Sequence, residues 1–229
     1  MTRQKVQWKH EILRVGKRAY SRCYIASNDG NISARIGKDR ILITPTGMSK
    51  GFLKISDLVV IDMDGKLIRG KKKPSSEMAL HLFVYRSRPD VNSVCHLHPP
   101  YATAFAVAGI PLDQHILSEA VISLGTVPLI AYGTPGTEEV YKNLHPAVKD
   151  YDAFLLANHG ALTLGTDVID AYHKMETLEH CAQILFIARH LGNVTILNPF
   201  QVKQLEALRS KFGIRVALGK KPAQRRKYF

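Results

Sequence analysis

Cysteine is scarce in this 229-residue chain: there are three, Cys23, Cys95 and Cys181, far apart and in no CxxC pair. So small and scattered a set supports neither a disulfide framework nor a zinc finger, and these residues read as reduced core positions. Long apolar runs are also missing. No stretch approaches the roughly 20 residues that a bilayer-spanning helix needs. The opening segment, MTRQKVQWKHEILR, is charged and helix-like, without the apolar centre of a signal peptide. No membrane partner is expected, and the cytoplasm is the expected location. Internal repeats, low-complexity tracts and Pro/Gly/Ser-rich linkers are absent as well, so one domain is expected over 1–229.

Acidic charge is the minority sign, with 19 Asp and Glu against 32 Lys and Arg, for a net charge of +13. That excess sits at the ends: residues 1–22 carry +6 and residues 201–229 carry +8, leaving −1 over 23–200. Basic charge confined in this way fits a solvated terminal helix (1–26) and a solvated tail (about 213–229). No nucleic-acid-binding motif accompanies it, so no nucleic acid is expected as a partner. Apolar residues at 45% and charged residues at 22% give the balance of an ordinary globular protein.

Residues 4–26 read as a helix with Ile12, Leu13, Val15, Ala19, Tyr20 and Cys23 on one side, broken by a turn and loop at Asn28–Asn31. The runs RILIT, DLVVIDMDG, NSVCHLH, VPLIAYG and DAFLLANHG read as strands. SSEMALHLFVYRS, PPYATAFAVAG, TEEVYKNL and the long segment from Asp167 to Gly192 read as helices. This order predicts an α/β layered sandwich and leaves the strand order open.

His96 and His98 fall at alternate positions of a predicted strand, so both imidazoles point to one face and can grip a single ion. Cys95 and Leu97 then face the other way. With 10 His in the chain, an HxH pair arises by chance on the order of 0.4 times, so the pair needs support. His159 supplies it, at the end of another apolar strand and followed by Gly160, which permits close backbone approach. Three imidazoles with one open position are the ligand set of a catalytic rather than a structural zinc. Each histidine taken singly is also an ordinary core or surface residue.

Ser75, Ser76 and Glu77 stand at a predicted helix start, where free N–H groups and the helix dipole favour a phosphate. Simple N-capping by either serine, with Glu77 as first-turn decoration, explains the same residues. Gly30 and Asn31 in NDGNIS, and Thr46 and Gly47 in ITPTGMS, form two further loops able to curl N–H groups around an oxyanion; plain turn chemistry is the alternative for each.

The ordered set GNIS, LITPTGMS, PSSE, HLHPP and ANHG, running from about Gly30 to Gly160, resembles the class II aldolase/adducin family, most closely its L-fuculose-1-phosphate aldolase branch. The resemblance implies a three-layer αβα sandwich with a mainly antiparallel central sheet. It implies that His96, His98 and His159 bind Zn2+ or another divalent metal, and that Glu77 is the catalytic acid/base and lies near the metal in the resting enzyme. It implies that Gly30, Asn31, Thr46, Gly47, Ser75 and Ser76 bind the substrate phosphate. The implied reaction is cleavage of a small phosphorylated ketose to dihydroxyacetone phosphate and an aldehyde such as lactaldehyde, through a zinc-stabilised enediolate. A C4-like homotetramer with active sites at subunit boundaries is also implied.

The family's pocket often receives a tyrosine from a neighbouring subunit, in the region matching 113–122. This chain has DQHILSEAVI there, with His115 and Glu119 as the nearest polar candidates, and Tyr228 as a candidate closing residue. Epimerases of the same fold typically carry Asp in place of Glu77, which favours an aldolase. Methylthioribulose-1-phosphate-type dehydratases and related decarboxylases share the three histidines, and the dehydratases place a working glutamate near Glu119. An adducin-like interaction module would lack the ligand set that this chain retains.

Overall fold

A computed structural model describes residues 3–211. The tail from about 213 to 229, and with it Tyr228, lies outside the described residues. In chain order the elements are α1 (Arg3–Ser21), β1 (Asn31–Gly37), β2 (Arg40–Ile43), β3 (Val59–Ile61), β4 (Leu67–Arg69), α2 (Met78–Ser87), β5 (Ser93–Leu97), α3 (Pro100–Val107), α4 (Ser118–Ser123), β6 (Leu129–Ile130), α5 (Glu138–Leu144), β7 (Ala153–Leu156), β8 (Gly160–Gly165), α6 (Val168–Leu191) and α7 (Pro199–Lys211).

The eight strands form one sheet in the order β4-β3-β2-β1-β5-β8-β7-β6. Every pairing is antiparallel except β6 with β7. Strand residues alternate faces, and the two faces build separate cores. Ile32, Ala34, Leu42, Cys95, Leu97 and Leu155 pack with α1, α3 and α6 on one side. Ile41, Ile43, Val94, Phe154, Leu162 and Leu164 pack with α2 and α5 on the other. This is an α/β three-layer sandwich with a mainly antiparallel sheet, as expected. Each fully buried large side chain, such as Phe154, contributes roughly 1.5–3 kcal/mol of burial energy.

Three local expectations need correction. The sequence predicts a loop at Asn31, but Asn31 opens β1, a strand in the middle of the sheet that pairs with both β2 and β5. Its polar side chains Asn31 and Ser33 are buried and bonded to α2, so they act as core residues. The helix predicted from Ser75 starts at Met78, with Glu77 at the N-cap position and no side-chain cap bond. The helix predicted to run on to residue 26 ends at Ser21, and Cys23 follows at φ 59°, outside the helical region. Among the described residues no helix is long and apolar enough to cross a membrane.

Candidate active site

β5 and the β7–β8 turn bring three histidines together. His96 is the fourth residue of β5 and is fully buried; His98 lies just past the strand; His159 lies in the tight turn between β7 and β8. β8 pairs with β5, placing Leu97 opposite Ala161, so the turn delivers His159 beside the histidine pair. The Nε2 atom of His96 lies 3.2 Å from that of His98 and 3.3 Å from that of His159. Among the described residues these three form the group whose donor atoms could hold one metal ion, all lying within 4.8 Å of one another.

Two details of the backbone make this convergence possible. Asn158 takes a left-handed conformation at φ 54°, which closes the turn. Gly160 must be glycine: a Cβ there would stand 2.5 Å from His98 Cδ2 and 2.7 Å from the Leu97 carbonyl oxygen. The expected role of this glycine in close approach is what the structure shows.

Glu77 closes the cluster from α2. Its Oε2 is 3.4 Å from His96 Nε2, and its Oε1 is 3.4 Å from His159 Nε2. Burial alone raises a carboxyl pKa, but His96, His159 and a hydrogen bond from Asn31 outweigh it and hold Glu77 well below the usual carboxylate range. For His96 the same attraction, helped by the Ala161 carbonyl, outweighs burial and raises the pKa. Burial pushes His98 down to about 3 and His159 down to about 4, with the neighbouring histidines adding to the effect. Both are therefore neutral imidazoles at neutral pH, the form that ligates metal.

The donor set fits a divalent cation on its own chemistry. His96 donates from Nδ1 to the Ala161 carbonyl over 2.9 Å, which leaves Nε2, turned to the centre of the cluster, as the ring nitrogen that can ligate a metal. Oε1 of Glu77 is buried with no hydrogen-bond partner, although buried polar atoms are ordinarily paired. One cation in the centre would satisfy both. Asp29 Oδ2 lies 3.8 Å from His98 Nδ1 on the more open side of the site, a neighbour that the sequence does not single out.

The three candidate phosphate loops adjoin this cluster. Pro45 and Pro74 form an isolated bridge, Thr46 N–H donates to the Lys73 carbonyl, and Ser75 N–H donates to the Thr44 carbonyl, so the segments carrying Thr46, Gly47, Ser75 and Ser76 lie side by side. Thr46, Gly47 and Ser76 are exposed, whereas Ser75 is buried and accepts from the Glu77 N–H. Gly47 sits at φ +67° and faces open space. Gly30, at φ +69°, rests against the His96 carbonyl, where a Cβ would come within 3.0 Å.

Lys50 is a further neighbour that the sequence reading does not single out. It is almost fully buried, donates from Nζ to the Asn28 carbonyl, and so ties down the loop leading into Gly30 and Asn31. Burial lowers its pKa to about 8 against the opposing pull of Asp29 and Glu77.

His115 and Glu119 are not drawn to the cluster within one chain. His115 lies beside Thr126, in a pocket lined by Leu178 and Cys181 of α6, and Glu119 is exposed in the first turn of α4.

Comparison with known proteins identifies the family. The family profile described as Class II Aldolase and Adducin N-terminal domain matches residues 10–186. The chain is 36% identical over 181 residues, 79% of its length and 97% of the relative, to an L-fuculose phosphate aldolase of Methanococcus maripaludis. It is 35% identical over 203 residues, 86% of its length and 95% of the relative, to a 3-oxo-tetronate 4-phosphate decarboxylase of Haemophilus influenzae. A solved L-fuculose 1-phosphate aldolase superposes with a TM-score of 0.82 at 31% identity, covering 91% of this chain and 97% of that one. The chain belongs to the class II aldolase/adducin family.

Proposed function

We propose that this chain is a metal-dependent aldehyde-lyase that cleaves a phosphorylated ketose of the L-fuculose-1-phosphate type to dihydroxyacetone phosphate and a small aldehyde. The observation that carries the reading is the position of Glu77: an ionised, largely buried carboxylate held between two imidazoles of a three-histidine cluster, on the segment that also carries Ser75 and Ser76. His96, His98, His159 and, in the resting state, Glu77 are the proposed ligands. Zn2+ is the proposed ion, since three imidazoles and a carboxylate suit it. When bound there, a divalent ion supplies Lewis acidity toward the substrate carbonyl and the adjacent hydroxyl.

The chain's own groups do the rest. Thr46, Gly47, Ser75 and Ser76, with Gly30 and Asn31, orient the donor through its phosphate, using N–H groups and hydroxyls beside the start of α2. As the C3–C4 bond breaks, the C4 hydroxyl gives up its proton to become the aldehyde carbonyl and the bonding electron pair stays on C3; Glu77, ionised at rest, takes up the proton so released and delivers it to C3. Run backwards, the same carboxylate removes that proton and prepares the donor for addition to an aldehyde. A homotetramer with sites at subunit boundaries belongs to the same reading; light scattering in solution tests it.

A second reading is decarboxylation of a phosphorylated 3-oxo acid, favoured by the relative of that activity that aligns over 86% of this chain. It would use the same cluster, with carbon dioxide rather than an aldehyde leaving. Incubating metal-reconstituted protein with phosphorylated ketoses and 3-oxo acids, and identifying the products by mass, separates the two. Triose phosphate plus aldehyde supports aldol cleavage; carbon dioxide release alone supports decarboxylation; loss of water without chain shortening contradicts both.

A further inference from the structure

β1 and α2 share a buried polar chain that ends on Glu77. Asn31 and Ser33 alternate with Ile32 and so point to the α2 face of the sheet, while His81 and Tyr85, four residues apart, lie one above the other on α2. The two spacings match. Asn31 Nδ2 donates to Glu77 Oε2 over 2.7 Å, and Asn31 Oδ1 lies 2.5 Å from His81 Nε2. His81 Nδ1 lies 2.6 Å from Ser33 Oγ, which in turn lies 2.7 Å from Tyr85 OH. Asn31, Ser33, His81 and Tyr85 are each 3% exposed or less, so water does not replace any of these partners.

The direction of every bond in this chain is determined. An ionised carboxylate only accepts, so the Asn31 amide nitrogen must face Glu77 and its oxygen must face His81. That oxygen needs a donor, and burial keeps His81 neutral at neutral pH, so its single proton sits on Nε2. Nδ1 is then an acceptor, Ser33 must donate to it, and Tyr85 must donate to Ser33. Tyr85 is itself anchored by Arg35, which donates to its carbonyl and lies over its ring, 4.9 Å from the centroid.

We infer that His81 is a positioning residue: through Asn31 it fixes the orientation of the Glu77 carboxylate for proton transfer. Asn31, expected to be a phosphate ligand, gives its amide oxygen and one amide hydrogen to this chain, which leaves its second amide hydrogen for a phosphate. The inference rests on the proposed role of Glu77 and adds to it a partner that the reaction does not touch. Removing an outer partner that orients a catalytic group typically costs 10–100-fold.

The test uses His81→Gln and His81→Asn with dihydroxyacetone phosphate alone in deuterated water, following exchange of its carbon-bound hydrogen by NMR. Gln places an amide nitrogen near the Nε2 position and can still donate to Asn31; Asn is too short to do so. The expected result is that His81→Asn lowers the maximal exchange rate about 10–100-fold, with half-saturation and metal content unchanged, while His81→Gln recovers most of the rate. Equal losses in both variants, or a loss that follows metal content or half-saturation, would overturn the inference.

A second measurement needs no variant activity. In the wild-type protein, 15N-labelled histidine should show His81 neutral with its proton on Nε2, assigned by the signal missing from His81→Gln; a proton on Nδ1 or a charged ring overturns the inference. If His81→Asn fails to fold, this spectrum decides. Glu77→Gln is run alongside. Full exchange in that variant removes the proposed role of Glu77, whereas full exchange in His81→Asn with an inactive Glu77→Gln removes only the positioning role.

Discussion

His96 and Ala161 are joined by a 2.9 Å hydrogen bond from the imidazole Nδ1 to the main-chain carbonyl, across the β5–β8 pairing. Because the sheet itself supplies the acceptor, the proton on Nδ1 and the ring direction of this fully buried histidine are set by strand register and require no further side chain. A metal site built this way depends on all three imidazoles. Replacing His96 or His159 with Ala should lower metal from about one ion per chain to under about a tenth, by loss of one of the three donors. Metal analysis after dialysis against a weak chelator checks this, and near-stoichiometric metal in either variant would contradict it.

Gly160 offers a test of geometry without altering a ligand. An added methyl meets His98 Cδ2 at 2.5 Å and the Leu97 carbonyl at 2.7 Å, and the backbone cannot yield cheaply. Gly160→Ala should cost about 1–3 kcal/mol of stability through overpacking and weaken metal binding by displacing His98. Thermal melting of apo and loaded protein measures both effects; an unchanged melting difference between the two forms would show that His98 has not moved.

Gly47 is the contrasting case, with nothing near its missing Cβ but a left-handed backbone at φ +67°. Gly47→Ala should therefore act through strain in the loop, on the order of 1–2 kcal/mol, and not through a clash. Half-saturation for a phosphorylated substrate should rise several-fold while that for an unphosphorylated aldehyde acceptor stays constant. Steady-state kinetics distinguishes this from a general loss of activity.

The apoprotein should lose stability in acid partly through His81. Burial holds its pKa down to about 3, with His96 adding to the effect and Glu77 opposing it, against an ordinary value of 6.5. Between those values the unfolded chain binds a proton that the folded chain refuses, so stability falls as pH drops from about 6.5 toward 3. His81→Gln removes that proton, and the slope of unfolding free energy against pH in this window should shrink by ~1.4 kcal/mol per pH unit. Urea titrations of metal-free protein at several pH values measure the slope; identical slopes would count against a neutral, buried His81.

Much of the site was legible because strand alternation and glycine punctuation carry geometric information. The HLH spacing puts two imidazoles on one face, and the glycine of ANHG marks a close approach; both hold in the structure. β1 was less legible: NDGN reads as turn chemistry, and the buried face of the strand is polar because Asn31 and Ser33 pair with α2 and not with water. β8 is bounded by Gly160 and Gly165, which dilute its apolar pattern, although a Cβ at Gly165 would strike the backbone of Ala171. His81 sits in an apolar helix stretch, where one histidine looks like ordinary packing; only the register between β1 and α2 shows what it touches. Lys50 was hidden for the same reason, since nothing local predicts a buried lysine that holds the Asn28 carbonyl.

The central claim is that Glu77 moves the proton beside a three-histidine metal site. Its most direct test is dihydroxyacetone phosphate exchange by metal-loaded Glu77→Gln, with metal content measured on the same sample. The account predicts near-stoichiometric metal and a rate lower by about 10²–10⁴-fold, the range for removing a general acid/base. A wild-type rate in the loaded variant would contradict it.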